Sequence, residues 1–243
     1  MQKQILPLAF LVSIIIVWQA GAVFFQIPGY LLPKPTEILS EFYNTPGLVG
    51  DFWITFVEAF FGLLLGSFAA ILLAVLFVYS TTAHDALFPI AVALKSVPIV
   101  ALAPLMLLWV GTGLESKIIM SALMSFFPVL VNTTIGLQSI GKSHLEYLLH
   151  LGASELQILA HLRFPVALPY FFSALKISAT LAVVGAIVAE MVGAKSGLGF
   201  FLIISTYHFE TAKVFAALIL SAFLGNLFVF AVSAIESLTY PRR

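Results

Sequence analysis

This chain is expected to be an all-α membrane protein with six transmembrane helices, and three observations carry that expectation. Of its 243 residues, 61% are apolar and only 9% are charged. A soluble domain carries roughly 25% charged residues, so too little polar surface remains here to cover a body in water, and lipid must be the main solvent. Six apolar runs are long enough to cross ~30 Å of hydrocarbon as helices. No stretch has the two-residue alternation of a half-buried strand, and residues 1–243 read as one transmembrane domain with no soluble domain attached.

The runs fall at 5–25, 55–79, 86–110, 116–137, 168–192 and 212–237. The first follows Met-Gln-Lys-Gln and is too long for a signal-peptide core. No small-residue cleavage site follows it, so it reads as a retained span. Between the first two runs, Pro28, Pro33, Pro35 and Pro46 break the chain, leaving room for a short interfacial helix over Thr36 to Phe42. The second run carries Gly62 and Gly66, a small-xxx-small pair that lets two helix backbones approach closely. Pro98 and Pro104 lie in the third run and Pro128 in the fourth. Proline in a span frees carbonyls that a neighbour or a water-filled cavity must satisfy, which points these two runs toward a pathway.

Charges inside the runs are few. A charge at mid-span costs on the order of 3 kcal/mol by insertion scales, so it should face protein or water. Lys95, three residues before Pro98, reads equally as a pathway residue or an inter-helix partner. Lys176 sits near one end of the fifth run and can extend its stem toward water. Glu190, near the other end, suits either a tie to the Lys195–Gly199 turn or contact with a transported solute. Glu58 suits a helix–helix interface. The candidate pathway set is therefore Lys95, Pro98, Pro104 and Glu190.

Several function classes are excluded. Net charge is zero, so no nucleic-acid footprint is expected. With no cysteine, disulfides, Cys-ligated zinc and thiol chemistry all go. His84, His144, His150, His161 and His208 share no metal-ligand spacing. Mid-span serines such as Ser67, Ser121 and Ser125 lack a histidine partner for intramembrane catalysis. No Gly-x-x-x-x-Gly-Lys-Ser/Thr loop is present, so if ATP is used, another chain binds it. A secondary transporter is the remaining rival, but it calls for inverted repeats that the two halves do not display.

One long polar interruption stands out, SHLEYLLHLGASELQILAHLRFPVALP, over 143–169. It holds two capping boxes by spacing, Ser143 with Glu146 and Ser154 with Gln157. Gly152 lies between them, where a helix can end in a left-handed residue. The spacing predicts a helix, a sharp turn at Gly152–Ala153, a second helix, and a stop near Pro165. A helix–turn–helix at about 143–165, between two membrane runs, is a docking element. Lys and Arg do not orient it: five lie on its side (Lys3, Lys142, Arg163, Arg242, Arg243) against four on the other (Lys34, Lys117, Lys195, Lys213).

This segment resembles the cytoplasmic loop of permease subunits of ATP-binding-cassette importers, which reads Glu-Ala-Ala, three residues, Gly, nine residues, Ile-x-Leu-Pro. Glu146, Gly152 and Pro165 match at that spacing. Tyr147-Leu148 replaces Ala-Ala, and Leu162-Arg163-Phe164 replaces Ile-x-Leu, keeping apolar character with more bulk. Leu32-Pro33-Lys34-Pro35, the stretch from Pro98 to Gly113, Glu190-Met191-Val192-Gly193-Ala194 and Gly197-Leu198-Gly199 are similar, in order, to the nitrate, sulfonate, taurine and pyrimidine-precursor branch of that family. The resemblance implies a type I importer permease fold and coupling to a separate ATPase through Glu146, Tyr147, Leu148, Gly152, Ala153, Ser154 and Pro165. It implies a second permease copy as a homodimer partner, two ATPase subunits that use ATP and Mg, and an external substrate-binding protein. No cofactor is expected on this chain itself. The cargo class would be a small solute: an organic anion, a sulfonate, a nitrate-like ion or a vitamin precursor. The location would be the bacterial cytoplasmic (inner) membrane, with both termini and the 139–167 loop on the cytoplasmic side.

Overall fold

The computed structural model describes residues 2–94 and 96–239, and all regular structure among them is helical. In chain order the elements are α1 (Gln2–Phe24), α2 (Pro35–Asn44), α3 (Leu48–Tyr79), α4 (Thr81–Leu94), α5 (Ile99–Val110) and α6 (Leu114–Gln138). Then come α7 (Lys142–His150), α8 (Glu155–Ile158), a π turn (Leu159–Arg163), α9 (Phe164–Gly193), α10 (Leu198–Tyr207) and α11 (Thr211–Thr239). Lys95 and the tail from Tyr240 to Arg243 lie outside the described residues, as do the side chains of Lys3 and Lys142.

Among the described residues, four helices are long and apolar enough to cross a membrane: α3, α6, the continuous rod from Glu155 to Gly193, and α11. Shorter apolar helices accompany them, over Ala9–Phe24, Ile99–Val110 and Leu198–Tyr207. The interfacial helix expected near Thr36 to Phe42 is present as α2.

α6 sits at the centre, packed along its length on α3 and α9. Its neighbours approach closely because the contact faces are small. A Cβ added to Gly62 would overlap the Ser121 side chain, and one added to Gly66 would overlap the Ala122 carbonyl and Ser125. Dispersion between closely packed backbones is the main attraction available in lipid, where burying apolar surface brings no gain. One core joins Ala59 and Leu63 of α3 to Ala179, Ala182 and Ala186 of α9 and Leu224 and Phe228 of α11. A second joins Ala70, Ala74 and Phe77 of α3 to Leu130 and Leu137 of α6, with Leu159 and Ala167 beyond them.

Two expectations are corrected here. The third run is not one span over 86–110: it breaks between α4 and α5. Pro98 has no N–H to give and disfavours helical backbone in the residue before it; it caps α5 in an extended conformation, with φ −63° and ψ 102°. α5 alone, at 12 residues, is about 18 Å long. The second correction concerns Pro165, which does not stop a helix. The rod runs through it for 39 residues, from Glu155 to Gly193. Proline crowds the carbonyl four residues back; the widened π turn just before Phe164, closed by Phe164 N–H to the Leu159 carbonyl, loosens that place so the chain continues. α10, in turn, is an element that the run lengths did not predict.

Candidate functional site

Polar groups gather at the two ends of the bundle. At the end where α3 and α6 terminate, α7 leads into a Schellman turn. Gly152 adopts φ +77°, the left-handed region open to glycine. Its N–H donates to the Leu149 carbonyl at 3.0 Å, and the Ala153 N–H donates to the Leu148 carbonyl at 3.1 Å, which satisfies two terminal carbonyls of α7. Ser154 then caps α8 as the spacing predicted. The Ser154 N–H donates to Gln157 Oε1 at 2.8 Å, and the Gln157 N–H donates to Ser154 Oγ at 3.4 Å.

The first box does not form. α7 begins at Lys142 with Gly141 at its cap and no side-chain bond there. Ser143 is thus inside the first turn rather than before it, and Glu146 stands on an exposed face. This helix–turn–helix turns its apolar side chains outward: Tyr147 is 65% exposed, Leu151 65% and Leu156 76%. Leu148, Leu151, Gly152, Ala153, Gln157 and His161 line a concavity of about 400 Å³ between the two helices. Exposed apolar groups gathered this way mark a surface made for a partner. The rod carrying them, at 39 residues, is about 58 Å long, well beyond ~30 Å of hydrocarbon.

Side chains also tie this element to the bundle. The Tyr79 hydroxyl at the end of α3 donates to the Glu155 carbonyl at 3.0 Å. Arg163 Nη1 donates to the Leu137 carbonyl at the end of α6, at 2.8 Å. Ile158 is fully buried beneath them. Of the expected coupling residues, Glu146, Tyr147, Gly152, Ser154 and Pro165 are exposed, and Leu148 and Ala153 half-buried.

At the opposite end, three consecutive N–H groups that open α10 are held by side chains from two other helices. Gly197 N–H donates to Asp51 Oδ1 at 2.7 Å, Leu198 N–H to Thr55 Oγ1 at 2.9 Å, and Gly199 N–H to Glu190 Oε2 at 2.6 Å. The Thr55 hydroxyl donates in turn to Glu190 Oε1 at 2.6 Å. The first N–H groups of a helix have no partner within it, and carboxylates there also complement the helix dipole. Glu190 is fully buried in this node. Of the two readings of Glu190, the tie to the following turn is the one these bonds describe. Asp51 and Thr55, the α3 side chains that hold the start of α10 beside Glu190, were not foreseen.

Glu58 is buried against Glu190 with Oε2 lacking a partner. Lys117, also buried, donates to the Thr112 carbonyl and to the Gly113 carbonyl at 2.9 Å, holding the turn into α6. Lys176 pairs with Glu236 of α11 at 2.5 Å. Pro98 and Pro104 are exposed at and after the α4–α5 break, on a helix whose Val100, Leu108 and Trp109 are also exposed. Among the described residues, no three His, Cys, Asp or Glu side chains gather to hold a metal.

Comparison with known proteins places this geometry in context. Residues 62–238 match the family described as binding-protein-dependent transport system inner membrane component. The chain is 34% identical to the formylaminopyrimidine transport permease protein ThiX of Halalkalibacterium halodurans, over 98% of this chain and 95% of that protein. It is 33% identical to the riboflavin transport system permease protein RibX of Chloroflexus aurantiacus, over 86% of this chain and 79% of that protein. Among solved structures, a chain of the MetNI methionine ABC transporter in an inward-facing conformation superposes with a TM-score of 0.68 at 21% identity. That match covers 78% of this chain and 94% of the other, a likeness of fold.

Proposed function

Since this chain belongs to the binding-protein-dependent transport system inner membrane component family, the permease component of ABC importers whose ATPase is a separate subunit, we propose how it works within such a transporter. Two copies pair to enclose the translocation pathway. Each presents its 143–165 element to one of two ATPase subunits, where ATP and Mg are bound. In this reading Glu146, Tyr147, Leu148, Gly152, Ala153 and Ser154 form the surface seated on the ATPase, and Pro165 lies in the rod that leads from it. The chain crosses the membrane six times, through α1, α3, the broken α4–α5 pair, α6, the Glu155–Gly193 rod and α11. Both termini and the 139–167 loop then lie in the cytoplasm of a bacterial cell, and an external binding protein delivers solute to the other face.

The observation that carries this reading is the turn itself: a capped, locally satisfied helix–turn–helix with its apolar residues outward, at the end of a rod longer than the membrane is thick. Closure of the ATPase pair would draw two such elements together and rock the attached helices as rigid bodies. Pro98 and Pro104, with Lys95 beside them in sequence, lie in the broken helix that we assign to the pathway wall. Glu190 we assign to the α10 node instead. The named relatives carry formylaminopyrimidine and riboflavin, and others sulfonates, taurine and nitrate; a small solute of that range is the proposed cargo.

Purifying the chain from its native membrane tests the reading. An ATP-binding subunit should co-purify in equal number, and vesicles holding the complex should take up solute only with ATP and binding protein present. Uptake driven by an ion gradient, with no ATPase bound, would overturn it.

A further inference from the structure

We infer that Arg163 is a positioning residue that locks the docking element to α6, so that the element moves two membrane helices, α9 and α6, and not α9 alone. The inference rests on the coupling role proposed above and deepens it. Unbroken helix connects the docking element only to α9, through the π turn Leu159–Arg163; toward α6 the chain passes through the non-helical linker 139–141, which carries no rigid push. A π turn has poorer hydrogen-bond geometry than the α-helix on either side, and such turns cluster where helices must yield or work. A rod pushed at Glu155 would flex there unless braced.

Arg163 supplies such a brace. Arg163 is the last residue of the π turn, and its Nη1 donates to the Leu137 carbonyl at 2.8 Å. Leu137 stands one residue from the end of α6, where the last carbonyls have no partner within the helix and a cation complements the dipole. Charge-assisted hydrogen bonds of this kind are roughly twice as strong as neutral ones. Among the described residues Arg163 Nε is buried without a partner, and Nη1 to the Leu137 carbonyl is the hydrogen bond the guanidinium makes. Below it, Leu159 packs in the core that contains Leu137, Leu130, Phe77 and Ala167. α6 is in turn the helix most extensively packed on α3 and α9, so a shift delivered at Leu137 reaches the centre of the bundle directly.

The chain has no cysteine, so a single introduced one reports on one helix. Ile135→Cys reports on α6 and Ile177→Cys on α9; both sites are exposed. The complex with its ATPase is assembled, and the rate of maleimide labelling is compared with and without Mg-ATP. In the parent chain, both sites should change rate on adding nucleotide. In Arg163→Met, which keeps an apolar stem and removes the donors, the α6 response should fall by on the order of tenfold, the factor that losing one charged hydrogen bond gives. The α9 response and ATP hydrolysis should persist. Arg163→Lys, which keeps a donor, should recover most of the α6 response. If both sites respond as before in Arg163→Met, or if both fall in step, the inference is overturned. Where the Met variant does not assemble, Arg163→Gln, whose amide falls short of the carbonyl, decides by the same split. Failure of the parent chain to bind any ATPase would instead overturn the functional reading.

Discussion

The node at the α10 end and the turn at the α7–α8 end are both polar breaks in an apolar chain, yet they use polarity in opposite ways. In the node, side chains satisfy backbone donors far away in sequence: Thr55 to Glu190 spans 135 residues, and Asp51 to Gly197 spans 146. In the turn, the capping bonds stay local, with Ser154 and Gln157 only three residues apart. Long-range bonds spend the polar groups on holding three helices together. Local bonds satisfy the backbone within the element and leave Tyr147, Leu151 and Leu156 exposed. The first arrangement makes structure; the second makes a surface.

Damage to the node should therefore cost folding, and damage to the turn should cost coupling. The largest effect is expected from Gly199→Leu. A Cβ there would overlap the Ile187 carbonyl and crowd Glu190, and backbone cannot give way cheaply. A loss of about 4 kcal/mol or more is expected, seen as failure to recover monodisperse protein in detergent. Next comes Thr55→Val, which keeps the shape but strips Glu190 and the Leu198 N–H of one partner each. Two buried polar groups left short cost on the order of 2–4 kcal/mol together, read as a lowered melting temperature with ATPase binding intact in whatever folds. If Thr55→Val melted like the parent chain, the node would not be a structural tie.

The turn should respond differently. Gly152→Val forces a β-branched residue into left-handed backbone, a local cost of about 1–2 kcal/mol. No atom lies near enough for the new Cβ to clash with, so the bundle should keep its melting temperature while nucleotide-driven uptake falls severalfold. Ser154→Ala removes the cap of α8, worth about 1 kcal/mol. It should weaken ATPase binding by no more than roughly fivefold. A large fall in melting temperature for either variant would erase the distinction between the two ends.

The same difference in range explains what could be read in the sequence. Gly152, Ser154 and Gln157 were legible because their bonds join residues three to five apart, and spacing encodes such bonds. Asp51 and Thr55 were not, since no local pattern records a partner about 140 residues away. The Ser143 box failed for a local reason: helical backbone starts one residue before it, and a cap works only at the boundary. Hydropathy saw the third run as continuous because a short break ending at Pro98 hardly lowers an average over 25 residues. α10 escaped for the converse reason, its 10 residues being too few to count as a span. Pro165 looked like a stop because proline usually is one; a π turn that lets it pass has no compositional mark.

The smallest expected effect lies at α2, beside the node, and tests whether a polar tie on that side can also be local. The Lys34 backbone N–H donates to Glu37 Oε2 and its ammonium to Oε1, both at 3.0 Å. These two donors, the backbone first, hold the Glu37 carboxyl below its usual range. A carboxylate whose pKa is depressed on folding adds stability that is complete above its unfolded value, near 4.3, and is lost as pH falls through the lower folded value. The pair is well exposed, so the contribution is small and screened by salt. Amide exchange at Lys34 should be slow at neutral pH, after correction for intrinsic rate, and its protection should drop only below about pH 4. Glu37→Gln should flatten that dependence while leaving α10 protection unchanged. A protection drop that instead began near pH 6 would mean that some other group, and not Glu37, holds the start of α2.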